Sequence, residues 1–403
     1  MSTYNKTLLS TQNLIQAPVI QVTIGDYVFG VKIEKANGEV LFPNFIQSLE
    51  ICKINGQVNT YTLNISYPIN ETADPNFFER VFASVASTRS IKFTYGDSMN
   101  PKFLYRDEEA LITKVKANFQ LDSACINYTV SAISQANLGF SGCYNFEAKT
   151  MKPSDRILEI LSDPLYGLQD LFTGMRDIEQ VKLYGLIPGN DVEKEIEYQE
   201  NMSVLSYIEY LVTLMSTDVD KAKKSSIFVL TFNDDTSGVF HGAYFKIVEV
   251  DTQIEHPEAF ELDIGYPGSN YVFGFNVEND ESYAIYYNYQ NALHKEQYVS
   301  RINANGDLES VYAPTISSSN ELHHTNEDEK TWWAKATQYP IKASVVIKGL
   351  LRSAILMNYV RVNIWLFGKK HLNSGLYIIT KQVDKIDGNG YQTTLNLMRI
   401  SGD

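Results

Sequence analysis

The alternation of side chains along short segments constrains the fold of this chain more than any other feature of its sequence. It is clearest in residues 376–400, which read LYIITKQVDKIDGNGYQTTLNLMRI. In the second half every other residue shares one face and the residues between them are polar, as in a half-buried strand. The residues on the shared face are Tyr391, Thr393, Leu395 and Leu397. The first half is predicted to be the partner strand, with Tyr377, Ile379 and Lys381 on one face. The DGNG turn at 387–390 tolerates the positive φ that a hairpin needs, so the chain is predicted to end in a β-hairpin.

Alternating segments also dominate residues 17–148. The predicted strands cover 20–24, 27–33, 61–67, 91–95, 112–119 and 124–132, and the inward residues of the third are Tyr61, Leu63, Ile65 and Tyr67. Gly25-Asp26 fits a type II′ turn and Asn55-Gly56 a type I′ turn. One helix interrupts the pattern, with Asp74 as its predicted cap. Its apolar residues at helical spacing are Phe78, Val81, Phe82 and Val85. The segment is therefore predicted to be an antiparallel β-barrel, or a sandwich, with one helix packed on it.

The hydrophobic period changes to that of helices between residues 149 and 225. One helix carries the stripe Ile157, Leu158 and Leu161. Ser203 is the predicted N-cap of a second helix, whose stripe is Leu205, Ile208, Leu211, Val212 and Met215. Strand patterns return at 227–232, 271–275, 343–347 and 359–366, and a polar loop excursion is predicted at 301–342. The predicted fold is thus β-rich α+β, with an N-terminal arm (1–16), a first barrel (17–148), a helical insert domain (149–225) and a second barrel (226–403).

The two predicted barrels end in similar segments. ITKVKANFQLDSACINYTVSAIS begins at Ile112, and ITKQVDKIDGNGYQTTLNLMRIS begins at Ile379. Each contains Ile-Thr-Lys, a strand, a short turn, a long alternating strand and Ile-Ser. Duplication of one barrel explains the match. Chance is the alternative, since Ile-Thr-Lys is a common tripeptide and any two hairpins look alike.

The composition restricts the partners and the compartment. Lys and Arg number 34 against 48 Asp and Glu, a net charge of −14, so the chain would repel nucleic acid and an anionic membrane. We expect neither a membrane-spanning segment nor a signal peptide, because no apolar run is long enough. Cys52, Cys125 and Cys143 are widely spaced, which favours a reducing cytosol over a disulfide framework and predicts small buried apolar groups. The 26 Tyr and 20 Phe residues favour strands and contact surfaces.

A search for catalytic and metal-binding motifs predicts no catalytic site, no metal site and no cofactor. The best metal-like cluster is His323-His324 with Glu321, Glu327, Asp328 and Glu329. We interpret it as a solvated acidic loop, because two adjacent histidines cannot share one face of a strand. The run from Arg301 resembles a calcium loop at Asn303, Asn305 and Gly306, but Arg301 and Tyr312 occupy its first and twelfth ligand positions. A glycosidase-type carboxylate pair, which meets only in space, stays open, as does an aromatic ligand platform in 271–289.

The order of these parts resembles the hub proteins at the centre of phage baseplates and of related contractile injection machines. It runs from a barrel with one helix through a helical insert to a second barrel and a last hairpin. The resemblance covers the chain from residue 17 to its end. The resemblance is clearest in two segments. They are EYQENMSVLSYIEYLV at 197–212, and SGLY at 374–377 followed by GYQTTL at 390–395. The excursion at 301–342 departs from the family pattern.

The resemblance implies a structural protein rather than an enzyme. In this family three chains form a ring, and the two tube-like barrels of each chain imitate two tube subunits, which adapts a sixfold tail tube to a threefold spike. The implied partners are further copies of the chain, a tail tube or distal tail ring above, a central spike or tail-tip protein below, neighbouring baseplate proteins, and viral DNA in transient passage without specific binding. The implied location is the virion tail, after assembly in the host cytoplasm. A carbohydrate-cleaving enzyme and a receptor-binding tail protein are the alternative functions.

Overall fold

The computed structural model describes the chain in separate ranges. These are residues 17–30, 41–42, 44–54, 57–70, 72–97, 105–120, 122, 124–135, 137–169, 192–214, 225–231, 244–250, 260–265, 271–279, 288–290, 298–302, 308–312, 341–349 and 359–402. Within these ranges most residues lie in antiparallel β-strands, and the helices are few and short. The prediction of a β-rich chain with few helices is therefore confirmed. The α-helices of the described ranges are α1 (Phe77–Ser84), α2 (Asn137–Phe140), α3 (Pro153–Ser162) and α4 (Val204–Leu214), and a 3₁₀ helix covers Pro164–Tyr166.

The strands divide into those before, within and after the helical segment. The first group is β1 (Pro18–Ile24), β2 (Tyr27–Gly30), β3 (Leu41–Phe42), β4 (Ile46–Ile54), β5 (Thr60–Pro68), β6 (Ser90–Asp97), β7 (Tyr105–Gln120) and β8 (Cys125–Ser134). The second is β9 (Cys143–Phe146), β10 (Lys149–Met151), β11 (Lys194–Ile196) and β12 (Gln199–Ser203). The third is β13 (Ser225–Thr231), β14 (Tyr244–Val250), β15 (Phe260–Ile264), β16 (Val272–Asn279), β17 (Asn288–Gln290), β18 (Tyr298–Ile302), β19 (Leu308–Tyr312), β20 (Ile341–Lys348), β21 (Tyr359–Leu366), β22 (Lys369–Lys370), β23 (Gly375–Asp387) and β24 (Gly390–Gly402).

One continuous sheet joins the two predicted barrels. Its strand order is β16-β20-β24-β23-β4-β5-β8-β7-β6-β1-β2-β3, and β21 lies beside β23 with β15 and β22 attached to it. The connection between the halves is the antiparallel pairing of β23 with β4. No closed barrel is present in the described part of the chain, where strands of both halves belong to this single sheet. Smaller sheets form from β9 and β12, β10 and β11, β13 and β14, and β17 to β19.

Three hydrophobic cores lie within the described part of the chain. The first lies under β1, β2, β4 to β8 and α1, and it includes Ile386 and Tyr391 from the terminal hairpin. Phe78 holds α1 on the sheet, with its ring centroid 5.3 Å from Phe29 and 5.2 Å from Tyr128. The second core is shared by α3, α4 and the short strands around them, and the third lies under β16, β20, β21, β23 and β24. The terminal hairpin therefore contributes to the first and the third core.

The alternation in the first third correctly identifies the buried faces. Tyr61, Leu63, Ile65 and Tyr67 are all buried, and so are Ile91, Phe93 and Tyr95. β1 and β2 pair across Gly25-Asp26, and Gly25 has a φ of +58°, as the predicted turn requires.

Two details of the first third differ from expectation. Helix α1 has Asn76 at its N-cap, whereas Asp74 accepts a hydrogen bond from the Asn76 amide and so stabilises the turn before the helix. The pairing of β4 with β5 ends at Cys52 and Thr60, and the Gln57 amide donates a hydrogen bond to the Ile54 carbonyl at 3.1 Å. The predicted turn residues Asn55 and Gly56 lie outside the described residues. Strand β4 continues to Ile54 because β23 pairs with it on its other side. A second helix, the four-residue α2, follows β8.

The predicted cap of the second insert helix is confirmed. Ser203 immediately precedes α4, and its hydroxyl accepts a hydrogen bond from the Ser206 amide at 3.1 Å. Within the predicted excursion at 301–342, Leu308–Tyr312 forms β19, which pairs with β18. The predicted arm at 1–16, most of that excursion, and Val31, Ile33 and Met215 lie outside the described residues.

Candidate functional site

The pairing of the terminal hairpin with the first half forms a seam within the chain. Residues 381–387 of β23 pair with residues 48–54 of β4, from Lys381 opposite Ile54 to Asp387 opposite Ser48. We call these two paired segments the seam. A β-bulge at Thr380 shifts the register of β23 immediately before the seam. Because a bulge reverses the alternation, Lys381 does not share the face of Tyr377 and Ile379 as predicted, and Gln382 is buried instead.

A buried polar cluster crosses the seam. We call it the seam cluster, and its members are Lys53, Tyr61, Tyr95, Glu108, Gln382, Asp384 and Thr393. Glu108 is its centre, because three side chains contact its carboxylate. Lys53 Nζ lies 2.7 Å from one carboxylate oxygen. The Tyr95 hydroxyl donates to the same oxygen at 2.6 Å, and the Tyr61 hydroxyl donates to the other at 2.8 Å. Burial raises the pKa of Glu108, but the Lys53 ammonium and these hydrogen bonds outweigh it and hold the pKa below its usual value.

Asp384 is the second carboxyl group of the seam cluster. The Thr393 hydroxyl donates to its Oδ1 at 2.6 Å, and the Gln382 amide donates to its Oδ2 at 2.7 Å. Burial raises the pKa of Asp384 to about 6, and the Glu108 carboxylate adds to the rise while Thr393 and Lys53 oppose it. One buried ammonium thus faces two buried carboxyl groups, and it compensates the charge of only one of them.

The seam cluster bears on the open possibility of a catalytic carboxylate pair. Glu108 is 0% exposed and Asp384 is 2% exposed, so a polysaccharide cannot reach either group in this structure. Their hydrogen bonds are made to neighbouring protein side chains. The arrangement can therefore hold the two halves in register and respond to pH, but it lacks the open cleft that a glycosidase requires.

Glu108 and Lys53 were not recognised as paired from the sequence. The usable signal is the alternation of Glu108, Ala110 and Ile112, which extends the buried face of β7 backwards to Glu108. Its partner Lys53 lies 55 residues away in sequence, and only the folded sheet brings the two together.

Most residues of the metal-like motifs lie outside the described residues. This holds for His323, His324 and the acidic residues beside them, and for Asn303, Asn305 and Gly306 of the calcium-like run. Among the residues that the structure describes, no group of three or more His, Cys, Asp or Glu side chains could hold a metal ion. No helix in the described ranges is long and apolar enough to cross a membrane.

The cysteines and the aromatic segment differ in part from expectation. All three cysteines are free thiols, but Cys143 is exposed and the other two are half-buried, so the prediction that they are buried is wrong. In the segment 271–289, Phe275 packs partly against the third core, whereas Phe273 is 56% exposed. These two rings therefore do not form one exposed platform.

The SGLY motif fixes the start of β23. The hydroxyl of Ser374, a buried residue, accepts a hydrogen bond from the Ile364 amide at 3.0 Å. The Tyr377 hydroxyl donates to the Asn373 carbonyl at 2.6 Å, and Arg399 donates to the carbonyls of Leu372 and Ser374 at 2.8 Å. The motif thus has a structural role in holding the loop before the hairpin.

The two segments that resemble each other in sequence have the same local structure. The register shift in β7 falls at Thr113, and that in β23 falls at Thr380. The Thr113 hydroxyl donates to the carbonyl of Ser131 at 3.1 Å, and the Thr380 hydroxyl donates to the carbonyl of Asn396 at 3.3 Å. Both threonines are the middle residue of Ile-Thr-Lys, so the predicted correspondence between the two hairpins is confirmed.

The correspondence extends to four strands. The order β4-β5-β8-β7 matches the order β16-β20-β24-β23, and both runs belong to the same sheet. We call each run a four-stranded unit. The leading strands also have bulges at matching positions, between Ile46 and Ser48 in β4 and between Val272 and Gly274 in β16. The chain thus contains one unit twice in tandem, and the seam is the junction between the two.

Comparison with solved structures identifies the fold. The chain is similar to the 43 kDa tail protein of prophage MuSo2 from Shewanella oneidensis, with 11% identity, a TM-score of 0.52, and coverage of 96% of this chain and 100% of that chain. It is also similar to the tail protein from Neisseria meningitidis MC58, with 10% identity, a TM-score of 0.48, and coverage of 95% and 97%. No protein-family model matches the sequence, and neither does any curated protein. The chain has the fold of a phage tail protein, which confirms the predicted resemblance at the level of fold.

Proposed function

We propose that this chain is a structural component of a phage tail or baseplate hub, in which three copies form a ring that adapts a sixfold tail tube to a threefold spike. The tandem repeat of the four-stranded unit carries the proposal. Because each chain holds two such units, three chains around one axis would present six similar units. Full-length likeness in fold to a phage tail protein supports the same role.

The domain division follows from this proposal. Residues 17–148 and 226–403 would be two tube-like barrels, each completed in the ring, and residues 149–225 would be an insert between them. The ring would contact a tail tube or distal tail protein above, a spike or tail-tip protein below, and baseplate neighbours at its side. Its place would be the virion tail, after assembly in the host cytoplasm.

The charge of the chain supports a position around the path of viral DNA. A net charge of −14 repels phosphate, so DNA could pass during ejection without being held by the wall. The protein would therefore act as a conduit and an adaptor rather than as an enzyme. The buried position of Glu108 and Asp384 gives no support to the alternative of carbohydrate cleavage.

The mass of the purified chain tests the proposal. Native mass spectrometry is expected to give a species of three times 45.7 kDa, or about 137 kDa. Electron microscopy of that species should show a threefold ring with a six-lobed rim. A chain that stays at 45.7 kDa over a wide range of concentrations, and that joins no tube or ring in assembled particles, would contradict the proposal.

A further inference from the structure

Two strand edges of the repeated units have no neighbouring strand within the described residues. In β7, pairing with β6 covers only residues 105–111, so residues 114–120 have β8 on one side and no described strand on the other. The strand β16 has β20 on one side and is an end of the sheet on the other. In the seam, by contrast, the corresponding edges of β23 and β4 are paired with each other.

We propose that residues 114–120 of one chain pair antiparallel with β16 of the next chain, so that the junction between chains repeats the seam within each chain. The occupant of each edge is thus a second copy of this protein, bound head to tail. The proposal rests on the ring proposed above and identifies the strands that would close it.

The register of this junction follows from the seam. The chain of pairings from β7 through β8 and β5 places Val115 in line with Leu49. In the other unit, the pairings from β23 through β24 and β20 place Gln382 in line with Phe275. Val115 therefore corresponds to Gln382, and Leu49 corresponds to Phe275. Transferring the seam pairs gives Lys116 opposite Glu278, Ala117 opposite Val277, Asn118 opposite Asn276, and Phe119 opposite Phe275. These correspond to the seam pairs of Val383 with Cys52, Asp384 with Ile51, Lys385 with Glu50, and Ile386 with Leu49.

Apolar side chains lie on the uncovered edge of β7 where the seam has buried ones. Phe119 is 61% exposed, whereas Ile386 at the corresponding position is 3% exposed beside Leu49. Val115 is 38% exposed, whereas Gln382 is 1% exposed. A long edge strand with an exposed phenylalanine invites pairing with another strand. Pairing with β16 would place Phe119 against Phe275, which already packs against the third core.

The charges of the two edges are complementary. Lys116 and Glu278 are both exposed, and the transferred register sets them directly opposite each other on the face away from the cores. Opposite charges across a strand pair stabilise it, and like charges destabilise it. Two β7 edges would bring Lys114 and Lys116 of both chains together, so pairing between unlike edges is favoured.

Charge reversal with rescue tests the junction. Sedimentation of the full-length chain is expected to show that Lys116→Glu or Glu278→Lys raises the dissociation constant of the oligomer by at least about tenfold. The double variant Lys116→Glu/Glu278→Lys restores opposite charges between chains and should return to within about threefold of the wild type. Lys369→Glu, an exposed lysine on the short strand β22, is the matched control and should have no effect.

A cysteine pair tests the register directly. In a Cys143→Ser background, Phe119→Cys with Phe275→Cys should give disulfide-linked chains on a non-reducing gel, because directly opposed Cβ atoms lie within disulfide reach. The off-register pair of Phe119→Cys with Phe273→Cys should give far less.

The outcomes separate the two proposals. If the wild type forms the trimer but reversal has no effect and no link forms, the edge pairing is wrong and the ring is closed by other surfaces. If the wild type remains a monomer, the proposal of a ring is wrong, and the proposal of edge pairing is wrong as well.

Discussion

The raised pKa of Asp384 predicts that the seam cluster weakens the fold at neutral pH. The carboxyl group is buried beside Glu108, and the cluster contains one ammonium for two carboxyl groups. Replacing Asp384 by Asn removes the uncompensated charge and keeps the shape of the side chain. The amide oxygen can still accept from Thr393. Gln382 can turn its amide so that Oε1, which has no hydrogen-bond partner among the described residues, accepts from the new amide group.

The size and sign of the effect follow from the pKa. The folded-state pKa of about 6 lies above the ordinary 3.8, so the folded state binds the proton more tightly than the unfolded state. The contribution of Asp384 to the free energy of unfolding is therefore largest below pH 3.8 and falls as the pH rises to about 6. The full loss above this range is about 3 kcal/mol. Asp384→Asn should recover up to that amount at pH 8 and gain little near pH 4.

Urea unfolding between pH 4 and pH 8, followed by circular dichroism at one protein concentration, measures the difference between variant and wild type. Asp387→Asn is the matched control, three residues along the same strand. The Asn389 amide donates to the Asp387 carboxylate at 2.8 Å and holds its pKa below the usual value, so this variant should lose stability at neutral pH. A variant Asp384→Asn that is less stable than the wild type at pH 8 would show that Asp384 is a favourably paired anion, and would refute the reasoning.

Two further predictions concern the seam cluster and the bulges. Lys53→Met should lower the free energy of unfolding by about 3–5 kcal/mol, because it leaves the Glu108 charge buried without its ammonium. The double variant Lys53→Met/Glu108→Leu should recover most of this loss in urea unfolding, and strictly additive losses would contradict the pairing. Thr113→Ala and Thr380→Ala should each cost about 1 kcal/mol, because each removes one equivalent hydrogen bond at a bulge. Clearly different losses in thermal or urea unfolding would show that the two bulges are not equivalent.

The strand positions could be predicted because they depend on local alternation. Tyr391, Thr393, Leu395 and Leu397 form the buried face of β24 as expected. A period of two identifies such a face without knowledge of the partner strand. The resemblance between the two Ile-Thr-Lys segments was also visible in the sequence, because the residues that form the bulge are local.

The register of β23 could not be predicted from its own residues. Alternation places Lys381 with Ile379, but the bulge at Thr380 turns Gln382 inward instead. A bulge depends on the strands on both sides, and here these are β24 and β4. The pairing of β23 with β4 is a contact between the two ends of the chain, so no local pattern indicates it.

The buried charges of the seam cluster also depend on contacts between distant parts of the chain, which no local pattern indicates. Glu108 lies in the polar run RDEE and has the sequence appearance of a surface residue. It is buried because Lys53, Tyr61 and Tyr95 supply three hydrogen bonds from three other strands. Such a site is defined by the topology of the sheet, and the sequence shows it only after that topology is known.

The seam and the proposed junction between chains differ in chemistry for a physical reason. Both strands of the seam belong to one chain, so buried charges such as Glu108 and Lys53 are paired as soon as the chain folds. Within the described residues the edges of β7 and β16 have no neighbouring strand. In the proposed junction, the core-facing Ala117 and Val277 correspond to Asp384 and Ile51 of the seam. Their charged residues lie on the other face, where Lys116 and Glu278 stay solvated before assembly and select the unlike edge during it. A junction between two different strand edges is a head-to-tail contact. Such contacts close into a ring when the rotation between neighbouring chains is a whole fraction of a full turn.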